Sequence, residues 1–495
     1  MPFKNKFILS FNILFLILLS EYSVAQNKFW VEVSKEYQAQ VNERGNDVNT
    51  LFSKLITSEG AEIIYYSSFV NAYSIYFPQA PSIKFKRNDL IRSVQQINYL
   101  QVQQLLPNTA VEYGFALEQI KGHFLSEALD LTGKGVKIGV IDGGFLGADK
   151  DPSLFHLIKN DQILYFSDYL MKNNTDPFYG KRFAQDEHGT EVLRMIGGSN
   201  LNINIQTGLA IASDYYLART DHGIRENRIE EDYWIMALES FYEMGIKLVN
   251  SSLGYTDSFD RKKENHHKSE VDGKSSMITK AAEAAAQKGM LLIIAAGNDG
   301  GNKWETLSLP ADAEHVLTVG ATDLAEWAKM GYSSIGNGKL GYIKPDVVCF
   351  AGNGTSYAAP IITGLAACIW QFDSTLSNLE IIDLIQSASH LADVPNNYLG
   401  YGVPNAQKIV QELKGNPSNS TTEKRQVSAN VLDLTTEDIM RLVYYHKSRN
   451  QIVQSSGVMR RANKEASFII ERPKGTNFTT ISYKDQFLLE IEWTK

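Results

Sequence analysis

Apolar and polar positions follow two different rhythms along the chain. Before residue 112 they alternate in short runs, the period-two signature of half-buried strands. Lys28–Ser34 alternates in this way, and Glu62–Tyr66 and Tyr73–Phe77 read as two strands joined through Ser67–Ala72. Asp47–Leu55 and Ile83–Ile91 read as helices and Val94–Leu106 as a closing strand, so residues 26–112 predict a small α+β unit that ends near the breaker Pro107-Asn108-Thr109. From 113 to 412 the rhythm changes. Continuous apolar runs at Val136–Ile141, Tyr215–Ala218, Ile246–Asn250, Met290–Ala296 and His315–Val319 are separated by amphipathic segments at His188–Ile196, Glu230–Met244 and Met277–Lys288. In the second of these, Tyr233, Trp234, Ala237, Leu238 and Phe241 share one helical face. Strands apolar on both sides, alternating with helices, predict an α/β fold: a parallel sheet with helices on both faces. Its ligand site belongs at the carboxyl ends of the strands. Residues 413–425, rich in Ser, Asn and Thr, read as a linker. Arg441–His446, Ala466–Glu471 and Gln486–Trp493 read as strands of a C-terminal β module over 426–495.

The first 25 residues break both rhythms. Lys4 and Lys6 precede an apolar run, Phe7–Leu19, interrupted only by Ser10 and Asn12; Ser23 and Ala25 then place small residues where a signal peptidase reads. This predicts a secretory signal over 1–25, with the mature chain starting near Gln26. The run is short for a bilayer core of about 30 Å, and no second stretch of spanning length occurs. The expectation is an exported protein, secreted or periplasmic or at the cell surface, with no membrane span once the signal is removed. Composition adds three limits. A length of 495 residues suits two or more domains at about 150 residues each. Forty-eight basic against 56 acidic residues give a net charge of −8, which argues against a nucleic-acid partner. Only two cysteines, Cys349 and Cys368, exclude a disulfide framework and a four-cysteine zinc site, and their apolar surroundings predict buried free thiols.

Four segments each place one reactive side chain at the end of a regular element. An apolar strand runs into Asp142-Gly143-Gly144; a histidine opens a helix in Asp186-Glu187-His188-Gly189-Thr190; Ala295-Ala296-Gly297-Asn298 ends a strand on an amide; and Gly352-Asn353-Gly354-Thr355-Ser356 leads a serine into a helix carrying Pro360 in its first turn. A serine hydroxyl needs a base of pKa near 7, which histidine supplies. The imidazole needs a carboxylate to fix its tautomer, and the tetrahedral intermediate needs donors already in place for its oxyanion. Asn298 and the Ser356 amide can provide them.

With these residues the sequence resembles the subtilisin-like (subtilase) serine peptidases. Ser252-Leu253-Gly254, Leu309-Pro310-Ala311-Asp312-Ala313, Val319-Gly320-Ala321-Thr322 and Lys344-Pro345-Asp346-Val347 also fit, so the likeness extends over about 113–412. It implies a secreted serine endopeptidase acting through an acyl-enzyme. Carried over residue by residue, Ser356 is the nucleophile, His188 the general base and acid, Asp142 its orienting carboxylate and Asn298 an oxyanion donor. Ser252, Leu253 and Gly254, with Ala295, Ala296 and Gly297, are expected to line the substrate channel, pairing a protein or peptide substrate as an added strand. The unit at 26–112 is expected to act as an intramolecular inhibitory prodomain, cut between about Pro107 and Tyr113. No cofactor is required. Structural calcium occurs in the family, but no oxygen-rich loop here matches a ligand pattern, and no metal residue is assigned. The chain departs from the family in one place: only Val348–Asn353 separates the Lys-Pro-Asp-Val motif from Gly354, where most members carry a longer segment. That shortening motivates an alternative, a weakly active or inactive subtilase-fold binding protein. His266-His267 lies in a charged run, Arg261–Ser269, and reads as a solvated insertion rather than a metal site.

Overall fold

The computed structural model describes residues 28–34, 48–67, 72–96, 112–180, 184–222, 225–416, 422–436, 438–448, 451–461 and 467–494. The chain forms two compact units, Met1–Asn108 and Thr109–Lys495. The expected signal at 1–25 lies outside the described residues.

In the first unit β1 (Lys28–Val33), α1 (Val48–Ser58), β2 (Glu62–Ser67), β3 (Ala72–Tyr76), α2 (Ile83–Lys86) and β4 (Ile91–Gln96) come in that order. The strands form an antiparallel sheet, β2-β3-β1-β4. Phe29, Val31 and Val33, alternate residues of β1, pack with Phe52 and Ile56 of α1 and with Phe77 and Phe85. Helix α2 is a single turn and does not reach Ile91. Ser82 caps it by accepting from the Phe85 amide at 3.0 Å, and Asn88 Oδ1 takes the Leu90 amide at 3.0 Å, so the side chain competes with the helical ladder and the strand starts three residues early. Of the expected strand at Val94–Leu106, the part beyond Gln96 lies outside the described residues.

The second unit is built on a seven-stranded, all-parallel sheet. Its strands are β5 (Lys137–Asp142), β6 (Ile163–Asp168), β7 (Asp214–Arg219), β8 (Leu248–Ser251), β9 (Leu291–Ala295), β10 (Leu317–Thr322) and β11 (Val347–Phe350), ordered β11-β10-β9-β8-β5-β7-β6. Five of the seven are the predicted apolar runs. The other two are β6, an edge strand whose Leu164 is half exposed, and β11, short and hidden within a motif. Alternation across the sheet accounts for the continuous apolar runs. Leu291 and Ile293 pack with Val192, Leu193 and Ile196 of α4 (Ala184–Gly197) and with Ile361 and Leu365 of α7 (Ala359–Phe372). Leu292 and Ile294 pack on the other face, with Trp234 and Phe241 of α5 (Ile229–Glu243) and Ile278 of α6 (Met277–Gln287). Each such side chain, fully buried, contributes roughly 1.5–3 kcal/mol. Helix α3 (Phe115–Gln119) precedes this sheet, and α8 (Asn378–Ser387) and α9 (Ala406–Leu413) come after α7.

The strand order turns around between β5 and β8. From β5 the chain first builds β6 and β7 on one side, then crosses to β8 and continues outward. The crevice at the carboxyl ends of β5 and β8 is therefore the switch point at which such sheets bind ligands.

The C-terminal strands are β12 (Glu423–Val427), β13 (Val431–Thr435), β14 (Arg441–Lys447), β15 (Val453–Arg460), β16 (Ser467–Glu471), β17 (Phe478–Tyr483) and β18 (Phe487–Trp493). They form a five-stranded sheet, β12-β18-β17-β14-β15, and the ribbon β13-β16. The end of the stretch read as linker is thus a strand, pairing in parallel with β18. Val443, Tyr445 and Val453 extend into the core of the parallel-sheet unit. Arg441 pairs with Glu326 and Lys121 with Asp485, and the Val453 amide donates to Asn397 Oδ1 at 2.8 Å. Cys349 and Cys368 are buried free thiols; burial pushes the Cys368 thiol up to about 12. His266 is buried, not solvated as its charged surroundings suggest: it lies between Glu231 (2.5 Å) and Glu270 (3.2 Å), while His267 is exposed.

Candidate active site

Asp142 ends β5, fully buried, in lateral register with Arg219 at the end of β7. The Arg219 guanidinium is buried beside it. Its Nε donates to the Gly143 carbonyl at 2.9 Å, one terminal nitrogen to Asp186 Oδ1 at 2.6 Å, and the other lies 3.3 Å from Asp168 Oδ2. One cation thus ties the turn after Asp142 to the helix that carries His188. That helix starts at Ala184, so His188 sits in its second turn rather than at its opening, with Asp186 and Glu187 in the first turn where the helix dipole favours acids. The Gly189 amide donates to the Gly144 carbonyl at 2.8 Å. A Cβ at Gly189 would lie 2.5 Å from that oxygen, so only glycine allows the approach.

His188 Nδ1 and Asp142 Oδ1 are 2.7 Å apart. The same oxygen accepts the Gly143 amide at 2.8 Å, whereas Asp142 Oδ2 is buried without a hydrogen-bond partner among the described residues. A carboxylate on Nδ1 selects the tautomer that leaves the Nε2 lone pair as the base. Burial alone would lower the imidazole pKa. The Asp142 carboxylate, by charge and hydrogen bond, with Glu191 and Asp221 further off, outweighs it and holds His188 above its ordinary value.

Ser356 lies in the one-turn 3-10 segment Thr355–Tyr357 ahead of α7. Gly354 carries φ +116°, a conformation that strains any side chain, and it brings the loop against Asn298. The Ser356 hydroxyl donates to the Ser252 carbonyl at 3.1 Å, and Ser252 Oγ returns a bond to the Ser356 carbonyl at 2.9 Å. The hydroxyl is turned to β8 rather than to His188. In serine hydrolases the bond from nucleophile to base commonly tightens only with substrate bound. Asn298 Oδ1 accepts from the Thr355 amide at 2.8 Å and from its hydroxyl at 3.2 Å. This pins the side chain and leaves Nδ2 as the end available to a ligand.

The segments read as substrate channel divide. Ser252 holds the Ser356 loop, and Gly254 is exposed beyond it. Leu253 and Ala296 pack into the α5–α6 side of the core and Ala295 into the other side, so their side chains are core. Gly297 donates its amide to Thr355 Oγ1 at 3.1 Å. Arg219, Asp168 and Glu191 went unread in the sequence, and Thr355 and Tyr357 were read only as part of the serine motif, with no role of their own. Tyr357 sets its ring 5.7 Å from that of His188 and donates its hydroxyl to Glu191. Burial and the Glu191 charge push its phenol pKa up, so it stays a donor. Glu191, three residues after His188 on a helix, could have been found by spacing; Arg219 needed the strand order. Among the described residues no group of three or more His, Cys, Asp or Glu side chains is placed to hold a metal ion. No helix among them is long and apolar enough to cross a membrane.

Asp142, His188 and Ser356 come from three separate segments at the carboxyl-end crevice of a parallel sheet, an arrangement with the side chains that acyl transfer needs. The family profile Peptidase_S8, the Subtilase family, matches residues 133–402. The chain belongs to that family and is a serine endopeptidase. It is 23% identical to Subtilisin NAT of Bacillus subtilis subsp. natto over 403 residues, 79% of this chain and 92% of that protein. It is 26% identical to Serine protease AprX of Bacillus subtilis (strain 168) over 351 residues, 63% and 72% of the two chains. The solved structure of the Clostridium perfringens CspB protease covers 60% of this chain and 99% of its own, at 16% identity and a TM-score of 0.47.

Proposed function

We propose that the protein is a secreted endopeptidase whose triad is Asp142, His188 and Ser356. Ser356 Oγ attacks the scissile carbonyl as His188 Nε2 takes its proton. The C–N bond then breaks as the same proton passes to the leaving nitrogen, and water repeats the cycle on the acyl-enzyme. Asp142 steadies the imidazolium, and Asn298 Nδ2 with the Ser356 amide receives the oxyanion. The observation that carries this reading is the 2.7 Å contact between His188 Nδ1 and the buried Asp142, with the Ser356 hydroxyl held beyond the end of β8 by the Ser252 carbonyl.

Ser356→Ala is expected to fold normally, lose labelling by a fluorophosphonate and lose turnover by several orders of magnitude. Asn298→Ala should cost about 100- to 1000-fold in kcat. Casein hydrolysis that survives Ser356→Ala would end the assignment. In the same reading, residues 1–25 direct export and the unit at 26–112 blocks the crevice until it is cut between about Pro107 and Tyr113. Intact mass of the secreted enzyme tests both: an active form that still begins near Gln26 would remove the prodomain role.

A further inference from the structure

A cavity of about 430 Å³ opens beside the proposed catalytic pair. Its lining is mostly apolar, with Phe115, Met195, Phe350, Ala351, Ile361 and Tyr357 among it. Phe115 of α3 is 71% exposed and meets Phe350 edge-on, ring centroids 6.4 Å apart. The wall is held in place from behind. Gln119 Oε1 accepts the Phe350 amide at 2.6 Å while its Nε2 donates to Thr322 Oγ1 at 3.1 Å, fastening α3 to the ends of β10 and β11. The short passage from β11 to Gly354 shapes the opening: Phe350, Ala351, Gly352 and Asn353 lead straight from the strand to the nucleophile loop and themselves form one side of the cavity.

The lining residues fix the cavity's place relative to the reaction. Tyr357 and Glu191 are among them, and both belong to the His188 side, through the Tyr357–His188 ring contact and the Tyr357–Glu191 hydrogen bond. Among the described residues, none of the lining comes from Ser252–Gly254 or from Gly297-Asn298, the segments that face the acyl half and the oxyanion. In acyl transfer the imidazolium hands its proton to the leaving nitrogen, so the leaving chain departs on the imidazole's side. A preformed apolar cavity of this size has room for a large apolar side chain.

We infer that this cavity receives a large apolar side chain, such as Phe or Leu, from the first or second residue after the scissile bond. Phe115 and Phe350 set that preference. The inference rests on Ser356 and His188 being the catalytic pair.

The test uses the mature full-length enzyme and two internally quenched peptides, identical up to the cut and carrying either Phe-Leu or Gly-Gly after it. An acyl p-nitroanilide, which has no residue on the leaving side, reports that each enzyme is folded and competent. The expected wild-type ratio of kcat/KM, Phe-Leu over Gly-Gly, is about tenfold or more. It should fall toward one in both Phe350→Ala and Phe115→Ala. Phe115 is exposed, so its truncation keeps the test open if the Phe350 variant does not fold. A wild-type ratio near one, or a ratio unchanged in the competent variants, overturns the inference and leaves the triad standing. Peptide and anilide turnover that Ser356→Ala does not reduce would overturn the triad, and this inference with it.

Discussion

At the residue scale the decisive group is the imidazole of His188. Because its pKa is held above 6.5, kcat/KM should rise with pH through a midpoint above that of a free imidazole. A profile with its midpoint at or below 6.5 would contradict the Asp142 contact. The protonated form also stabilises the fold; that contribution is complete below the unfolded pKa and is lost as pH rises through the folded one. Asp142→Asn should keep the shape of the site yet lower kcat by about four orders of magnitude, since an amide cannot enforce the tautomer. Arg219 is the second residue-scale test. Its removal in Arg219→Met takes the cation away from the buried Asp168 and Asp186 carboxylates, so a loss of about 3–5 kcal/mol in a denaturant titration is expected. An unchanged transition midpoint would show that the two carboxylates relax to water. The side chains proposed as the triad could be singled out in the sequence because each sits in a local motif. Arg219 could not, because its role exists only once β7 lies beside β5.

At the element scale, the loop after β7 and the first turn of α5 bring acids together. Asp221 is buried, accepting from Thr220 Oγ1 at 2.6 Å and from the Tyr255 hydroxyl at 3.2 Å. Burial first, then Glu230, pushes its pKa well up. Glu230 accepts the His222 and Asn227 amides at 2.8 and 3.1 Å, yet burial raises it to about 7. A carboxyl with a raised folded pKa binds more protons folded than unfolded, so stability falls as pH climbs from 4.5 to about 7 and is level beyond. Glu230→Gln keeps an acceptor for one of the two amides and should flatten that decline, as read by thermal melts across the interval. An undiminished slope in the variant would assign it elsewhere. Element types were legible where burial is two-sided, as in β5 and β9. They blurred where a side chain competes with the backbone, as Asn88 does at the end of α2, or where an edge strand such as β6 is half wet.

At the scale of the whole molecule, the composition of 413–425 suggested a tether, but the strands beyond it are packed rather than tethered. Tyr445, Val443 and Val453 belong to the core built around the parallel sheet, with Tyr398 against Tyr445 at a 6.4 Å ring separation. Ending the chain after residue 416 would uncover that surface and strand the Asn397 side chain. The truncated enzyme is expected to melt several degrees lower or to aggregate, and full thermal stability in it would show the module to be an independent appendage. Long-range docking of this kind leaves no periodic trace in the sequence, which is why it was not read there. The interior also sets how the enzyme meets its surroundings. Its only two sulfhydryls, Cys349 on β11 and Cys368 on α7, are sealed in the core and unjoined. A bath of dithiothreitol has no cross-link to strip, and an alkylating agent finds no thiolate to attack, so the native enzyme should pass through either treatment with its activity intact.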